Sequence, residues 1–124
     1  MRKTGEEALQ FNGKDLGLRL CDFWSWGFSD LLDNTLRGSY SEFIVAAALG
    51  IDLPEPRVNW EPWDQTIRSE QGDIHVEVKS ASYLQTWEQE RPSVPQFSIR
   101  PAIRWTATHG YTGEPHRQSD GFVF

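Results

Sequence analysis

The sequence predicts a mixed α/β domain. Three stretches carry that expectation. Ser39–Leu49 has the spacing of an amphipathic helix, Ile74–Lys79 alternates as a strand, and Gly121–Phe124 begins a further apolar strand. At 124 residues the chain has the size of one domain near the lower end of what buries a core unaided. The expected division is an N-terminal helical or irregular cover over residues 1–36 and a core over 37–124.

The elements follow in chain order. About the first 20 residues are polar with weak periodicity and read as a loosely ordered lead-in. Asp22 to Asn34, DFWSWGFSDLLDN, mixes aromatics with helix-start residues and reads as short helical turns over one side of the core. The clearest helix comes next. Ser39-Tyr40-Ser41-Glu42 has the spacing of a capping box, Tyr40, Phe43, Ile44 and Ala47 recur at helical spacing, and Gly50 stands at the C-cap. Pro54 and Pro56 make Ile51–Pro56 a connector.

Arg57 to Arg68 reads as extended, interrupted at Pro62, and Glu70-Gln71-Gly72-Asp73 as a turn. In Ile74–Lys79 the residues Ile74, Val76 and Val78 share one face and His75, Glu77 and Lys79 the other. Between Ser80 and Ser119, Pro92, Pro95 and Pro101 break the pattern. Phe97–Arg100 reads as a short strand and Thr108–Pro115 as loop. The apolar run at Gly121–Phe124 is cut off after its first residues, so the expectation is a core truncated at its C-terminus.

Composition narrows the function classes. No apolar run approaches the roughly 20 residues that span a bilayer, and MRKTGEEALQFN lacks the apolar stretch of a secretory leader. With Cys21 alone there is neither an intramolecular disulfide nor a thiolate zinc cluster. A cytoplasmic, reducing location is the default expectation. The net charge of −6 speaks against a surface built to grip nucleic acid non-specifically. It leaves room for a metal site, which needs carboxylates and brings its own positive charge.

Phosphodiester hydrolysis needs a hard cation bound through oxygen and a group that positions a water. Glu77 and Lys79, at i and i+2 on one strand face, lie roughly 6–7 Å apart at the backbone. A cation held by Glu77 and the Lys79 ammonium can therefore address the same water or phosphate. Asp64, on the extended run before the Gly72 turn, is placed to add a second carboxylate.

Asp64, twelve residues, then Glu77-Val78-Lys79 resembles the PD-(D/E)xK phosphodiesterase superfamily, the restriction-endonuclease-like nucleases. In that superfamily a Glu-bearing helix precedes a three-stranded meander carrying the Asp and the E-x-K, followed by a helix and another strand. The resemblance covers roughly residues 37–82. It implies a restriction-endonuclease-like core, a mixed central sheet flanked by helices, and a Mg²⁺- or Mn²⁺-dependent nuclease acting on DNA, with Asp64 and Glu77 as metal ligands. It implies Lys79 as the water-positioning or phosphate-contacting residue, and Glu42 as a further catalytic carboxylate. Members of the superfamily often dimerise to cut two strands, which makes a homodimer part of the expectation. Two departures stand out: Trp63 precedes Asp64 where the family has Pro, and no second core helix is evident between Lys79 and Gly121.

Each residue has an ordinary alternative. Glu42 fits a capping box as well as a ligand role, and Asp64 could be a turn residue after Pro62. His75 could touch the site or be polar strand surface. Gln85 could approach it or belong to a solvated loop. Arg37, beside Gly38, could present a cation to phosphate or simply start the helix. Trp60 and Trp63 could stack on bases or pack the core. Two further readings remain beside the nuclease: a non-catalytic nuclease-like module that binds nucleic acid or a protein, and an interaction domain whose acidic strand face is solvated. The last expects Asp64 and Glu77 to lie far apart.

Overall fold

An Asn-Gly pair between two short runs dictates the first element. In the computed structural model, which describes residues 1–59, 61–106 and 108–124, β1 (Ala8–Phe11) and β2 (Lys14–Arg19) pair antiparallel through a two-residue turn. Asn12 and Gly13 take φ of 49° and 73°, the left-handed pair that a hairpin turn of this hand requires. The expected loose lead-in is therefore corrected to a hairpin. The reason is local turn chemistry, which needs little hydrophobic patterning.

Helix α1 (Leu20–Gly27) follows directly; it begins two residues ahead of the predicted helical stretch and covers only its first half, residues 28–33 being non-helical. The Asp22 carboxylate accepts from the Arg19 N–H at 2.6 Å and closes its first turn.

Helix α2 (Asn34–Ala48) starts five residues earlier than the sequence pattern predicts. Asp33 Oδ1 accepts from the N–H groups of Thr35 and Leu36, each at 3.0 Å, and so takes the N-cap role. Ser39 lies inside the helix, and the capping box expected of Ser39 and Glu42 does not form. The expected boundary at residue 36 falls within this helix. Its C-terminus is as expected: Gly50 at φ 66°, with Gly50 N–H to Ala47 O at 3.2 Å and Ile51 N–H to Ala46 O at 2.9 Å, the paired bonds of a Schellman motif.

Strands β3 (Gln65–Ile67) and β4 (Ile74–Val78) pair antiparallel across the Ser69–Gly72 turn. Strands β5 (Ala102–Thr106) and β6 (Gly110–His116) form a second antiparallel hairpin. This corrects two expectations, since Phe97–Arg100 is not a strand and most of Thr108–Pro115 is one. Gly113 and Pro115 argue against a strand when read alone, and pairing to β5 overrides them. Strand β7 (Gly121–Val123) returns parallel to β4, with Glu77 opposite Phe122, giving the order β3–β4–β7. Among the described residues no helix connects β4 to β7, where the superfamily pattern has one.

The chain is thus a small mixed α/β protein with two helices and several sheets among its described residues. No described helix is long and apolar enough to cross a membrane. Burial concentrates where α2 packs on β4: among the described residues Ala46 and Val76 are the buried apolar side chains, joined by the polar Gln65 and Ser119. The accessible surface is 10117 Å², against roughly 6,800 Å² for a compact monomer of this mass.

Candidate functional site

The alternation of β4 puts Glu77 and Lys79 on one strand face, and there they form an ion pair, each about a third exposed. Lys79 N–H donates to Val123 O at 2.8 Å, so β7 anchors the backbone of the triplet. Ser119, buried at the approach to β7, sits with its hydroxyl 3.5 Å from Glu77 Oε2.

Asp64 reaches the same strand from the other side. Val76, the register partner of Gln65, also accepts from the Asp64 N–H at 3.0 Å. Two residues against one is a β-bulge, a device that re-aims a side chain at the end of a ladder. The Asp64 carboxylate consequently takes a position a backbone carbonyl would otherwise fill, with Oδ2 accepting from Val78 N–H at 2.7 Å. The sequence-predicted Asp is thereby hydrogen-bonded to the middle residue of the Glu77-Val78-Lys79 triplet. The Asp64 carboxylate thus bonds to the backbone one residue along from Glu77.

Burial pushes the Asp64 carboxyl above its ordinary value, and the negative charges of Glu42 and Glu77 add to the rise. The Val78 N–H and the Arg57 guanidinium work in the opposite direction. Three carboxylates from α2, the bulge and β4 therefore share one electrostatic neighbourhood, which a cation would relieve.

Glu42, freed from any capping role, is gripped by Arg57. The guanidinium donates through Nε to Oε2 at 2.5 Å and through Nη2 to Oε1 at 2.6 Å, the bidentate geometry in which an arginine–carboxylate pair is strongest. Its third nitrogen, Nη1, donates to Asn59 Oδ1 at 2.5 Å. The Glu42 bond is the main reason the Arg57 pKa is raised, and the charges of Glu42 and Asp64 contribute further. On the same turn of α2, the Glu42 backbone carbonyl accepts from Gln65 Nε2 at 3.2 Å, fixing helix to bulge. Glu42, Arg57, Trp63 and Asp64 all line one cleft of about 430 Å³.

The remaining candidates lie elsewhere or are otherwise engaged. His75 stacks on Trp63 with ring centroids 3.7 Å apart, and its Nδ1 is 3.4 Å from Thr66 Oγ1. Arg37 is turned back on its own helix start, donating to Leu32 O and Asn34 Oδ1. Gln85 belongs to a local cluster with Ser82, Gln89 and Ser93 and makes no hydrogen bond to the described residues of the site. Trp60 lies outside the described residues, so only Trp63 of that pair is placed.

Sequence reading missed Arg57, Ser119 and Asp120. Asp120 holds the β4 backbone by accepting from His75 N–H at 2.8 Å while its own N–H donates to His75 O at 2.7 Å. No spacing rule points to these three, because each reaches the site across at least 15 residues of chain.

Among the described residues no group of three or more His, Cys, Asp or Glu side chains is gathered as a metal cage. Asp64 and Glu77 offer a smaller set: two carboxylates at one strand end, with Asp64 Oδ1 outside the hydrogen bond to Val78. That set suits Mg²⁺, which is commonly held by one or two carboxylates and keeps several waters. Compared with known proteins, the chain matches no family model, no curated protein and no solved structure.

Proposed function

We propose that this chain is a divalent-metal-dependent nuclease that hydrolyses phosphodiester bonds, with DNA as its substrate. The observation that carries the reading is the Asp64 bulge. It draws a carboxylate from one strand onto the backbone of Glu77-Val78-Lys79 on the next, within reach of the charges of Glu42 and Glu77. The order helix with Glu42, strand end with Asp64, strand with Glu77 and Lys79, then a further parallel strand supports the restriction-endonuclease-like reading. The lack of a helix before β7 among the described residues weighs against it.

Asp64 and Glu77 would hold Mg²⁺ or Mn²⁺, which supplies an acidified water and stabilises charge developing on the phosphate. Lys79, paired to Glu77, has the reach to orient that water or donate to a phosphate oxygen once Glu77 is engaged elsewhere. Glu42 adds negative charge behind Asp64. His75, stacked on Trp63, presents an aromatic surface beside the strand on which a base could rest.

The test is a Mn²⁺ titration by electron paramagnetic resonance, paired with cleavage assays on double- and single-stranded DNA. Asp64→Ala is expected to abolish saturable Mn²⁺ binding and cleavage. Lys79→Ala is expected to retain the metal but lose about 10²–10⁴-fold in rate, the usual scale for a group that moves or orients a proton. Cleavage by Asp64→Ala at the wild-type rate would overturn the proposal. The alternative, a non-catalytic nuclease-like module, draws on the −6 net charge and is favoured if no saturable Mn²⁺ binding is found.

A further inference from the structure

We infer that Arg57 is the internal counter-ion of Glu42 in the cleft that Asp64 also lines, and that it must give way when a divalent cation binds there. The inference rests on the nuclease reading of the same residues.

Two geometric observations and one electrostatic effect bear on it. Arg57 makes two hydrogen bonds to Glu42, at 2.5 and 2.6 Å. Its charge is also felt by Asp64, the residue assigned to the metal. And it lines the cleft through which Glu42 and Asp64 are reached. Glu42 is mostly buried, with a side-chain exposure of 12%, whereas Arg57 is more open at 42%. The partner free to leave is thus the cation.

A guanidinium and a hydrated Mg²⁺ offer different things to such a cluster. The guanidinium brings a single charge and planar donors; the ion brings two charges and a compact coordination shell. Both cannot neutralise the same carboxylates at full strength, since their mutual repulsion in a partly desolvated cleft opposes joint occupancy. Metal affinity is therefore lowered by the resident arginine. By thermodynamic reciprocity, metal binding must loosen the Arg57–Glu42 pair. Arg57 would then be released at the cleft mouth with its donors available to an anionic phosphate.

Mn²⁺ binding to the full chain and to Arg57→Gln, measured by isothermal titration calorimetry, tests this. Arg57→Gln is expected to bind Mn²⁺ about tenfold more tightly, within the usual range of coupling between two ligands, whereas Arg57→Lys should stay close to wild type because it keeps the charge. Equal or weaker binding by Arg57→Gln, with wild type binding normally, would overturn the counter-ion role and leave the nuclease reading standing. Absence of Mn²⁺ binding in both proteins would overturn the two together. If Arg57→Gln fails to fold, the wild-type chain decides the matter through the Arg57 Nε–H resonance during a Mg²⁺ titration. The resonance should move along the same binding curve as the Asp64 and Glu77 carboxyl signals. A stationary Arg57 signal while the carboxyls shift would overturn the inference.

Discussion

The N-terminal hairpin and the three-stranded sheet are built from strands of similar length, yet they are held by different forces. In the hairpin, Phe11, Leu16 and Leu18 are exposed, and the Asn12-Gly13 turn sets the pairing. Just before it, Gly5 is buried, its Cα side facing the Trp24 ring. In the sheet, every strand is short, but β4 lies between β3 and β7 and beneath α2. Ala46, Gln65, Val76 and Ser119 are all buried there. Local turn chemistry can organise a ribbon without a core, whereas a site that must hold charges close together needs one. The candidate carboxylates accordingly sit on the part of the molecule with burial.

The comparison can be broken most severely at Val76. Val76→Asp would place a charge in the buried centre of β4 and is expected to cost about 3–5 kcal/mol, enough to unfold the sheet in a protein of ordinary stability. Phe11→Asp, on the exposed hairpin, should stay within about 0.5 kcal/mol. Urea denaturation of the two variants checks this, and similar losses would show that the hairpin is as tightly integrated as the sheet.

A smaller effect probes the turn that organises the hairpin. Gly13 has φ 73° and open space where a Cβ would stand, so a side chain there meets backbone strain without a clash. Gly13→Val is expected to cost about 1–2 kcal/mol and to accelerate amide exchange in β1 and β2 while leaving β4 protected. Uniform acceleration across both regions would mean that the two fold as one cooperative unit.

The smallest expected change sharpens the site itself. Because its folded-state pKa lies above the ordinary carboxyl value of 3.8, Asp64 favours the fold when protonated. That contribution is complete below the ordinary value and is lost as pH rises through the folded one. At neutral pH the ionised carboxylate therefore works against stability in the absence of a cation. Asp64→Asn, which can still accept from Val78 N–H, should raise the melting temperature near pH 7. The gain should shrink as pH falls toward the ordinary carboxyl value. A melting temperature unchanged by the substitution at every pH would mean that Asp64 bears no net strain from its acidic neighbours.

Legibility differs from element to element for physical reasons. Strand β4 is readable because β-branched and polar residues alternate in it with period two, although of the apolar face only Val76 is buried and Ile74 is exposed. The α2 C-terminus is readable because only glycine enters φ 66° cheaply. The start of α2 is misplaced by the sequence pattern because Ser39-x-x-Glu42 has capping-box spacing even inside a helix, and Asp33 is the residue whose side chain meets free N–H groups. The Asn-Gly hairpin is legible but outweighed by the polarity around it. Strand β6 is not, since Gly113 and Pro115 disfavour extended structure until β5 supplies a partner.

What the sequence determined by itself is therefore local: turn chemistry at Asn12-Gly13, the helical run to Gly50, the alternation of β4, and the identities of Asp64, Glu77 and Lys79. Tertiary structure alone decided how those groups meet. The bulge that turns Asp64 onto Val78, the grip of Arg57 on Glu42 and the parallel return of β7 beside β4 join residues separated by 14, 15 and about 45 positions. Neither propensity nor periodicity reaches over such separations, because the free energy that selects these contacts comes from burial and charge pairing, which exist only once the chain has folded back on itself.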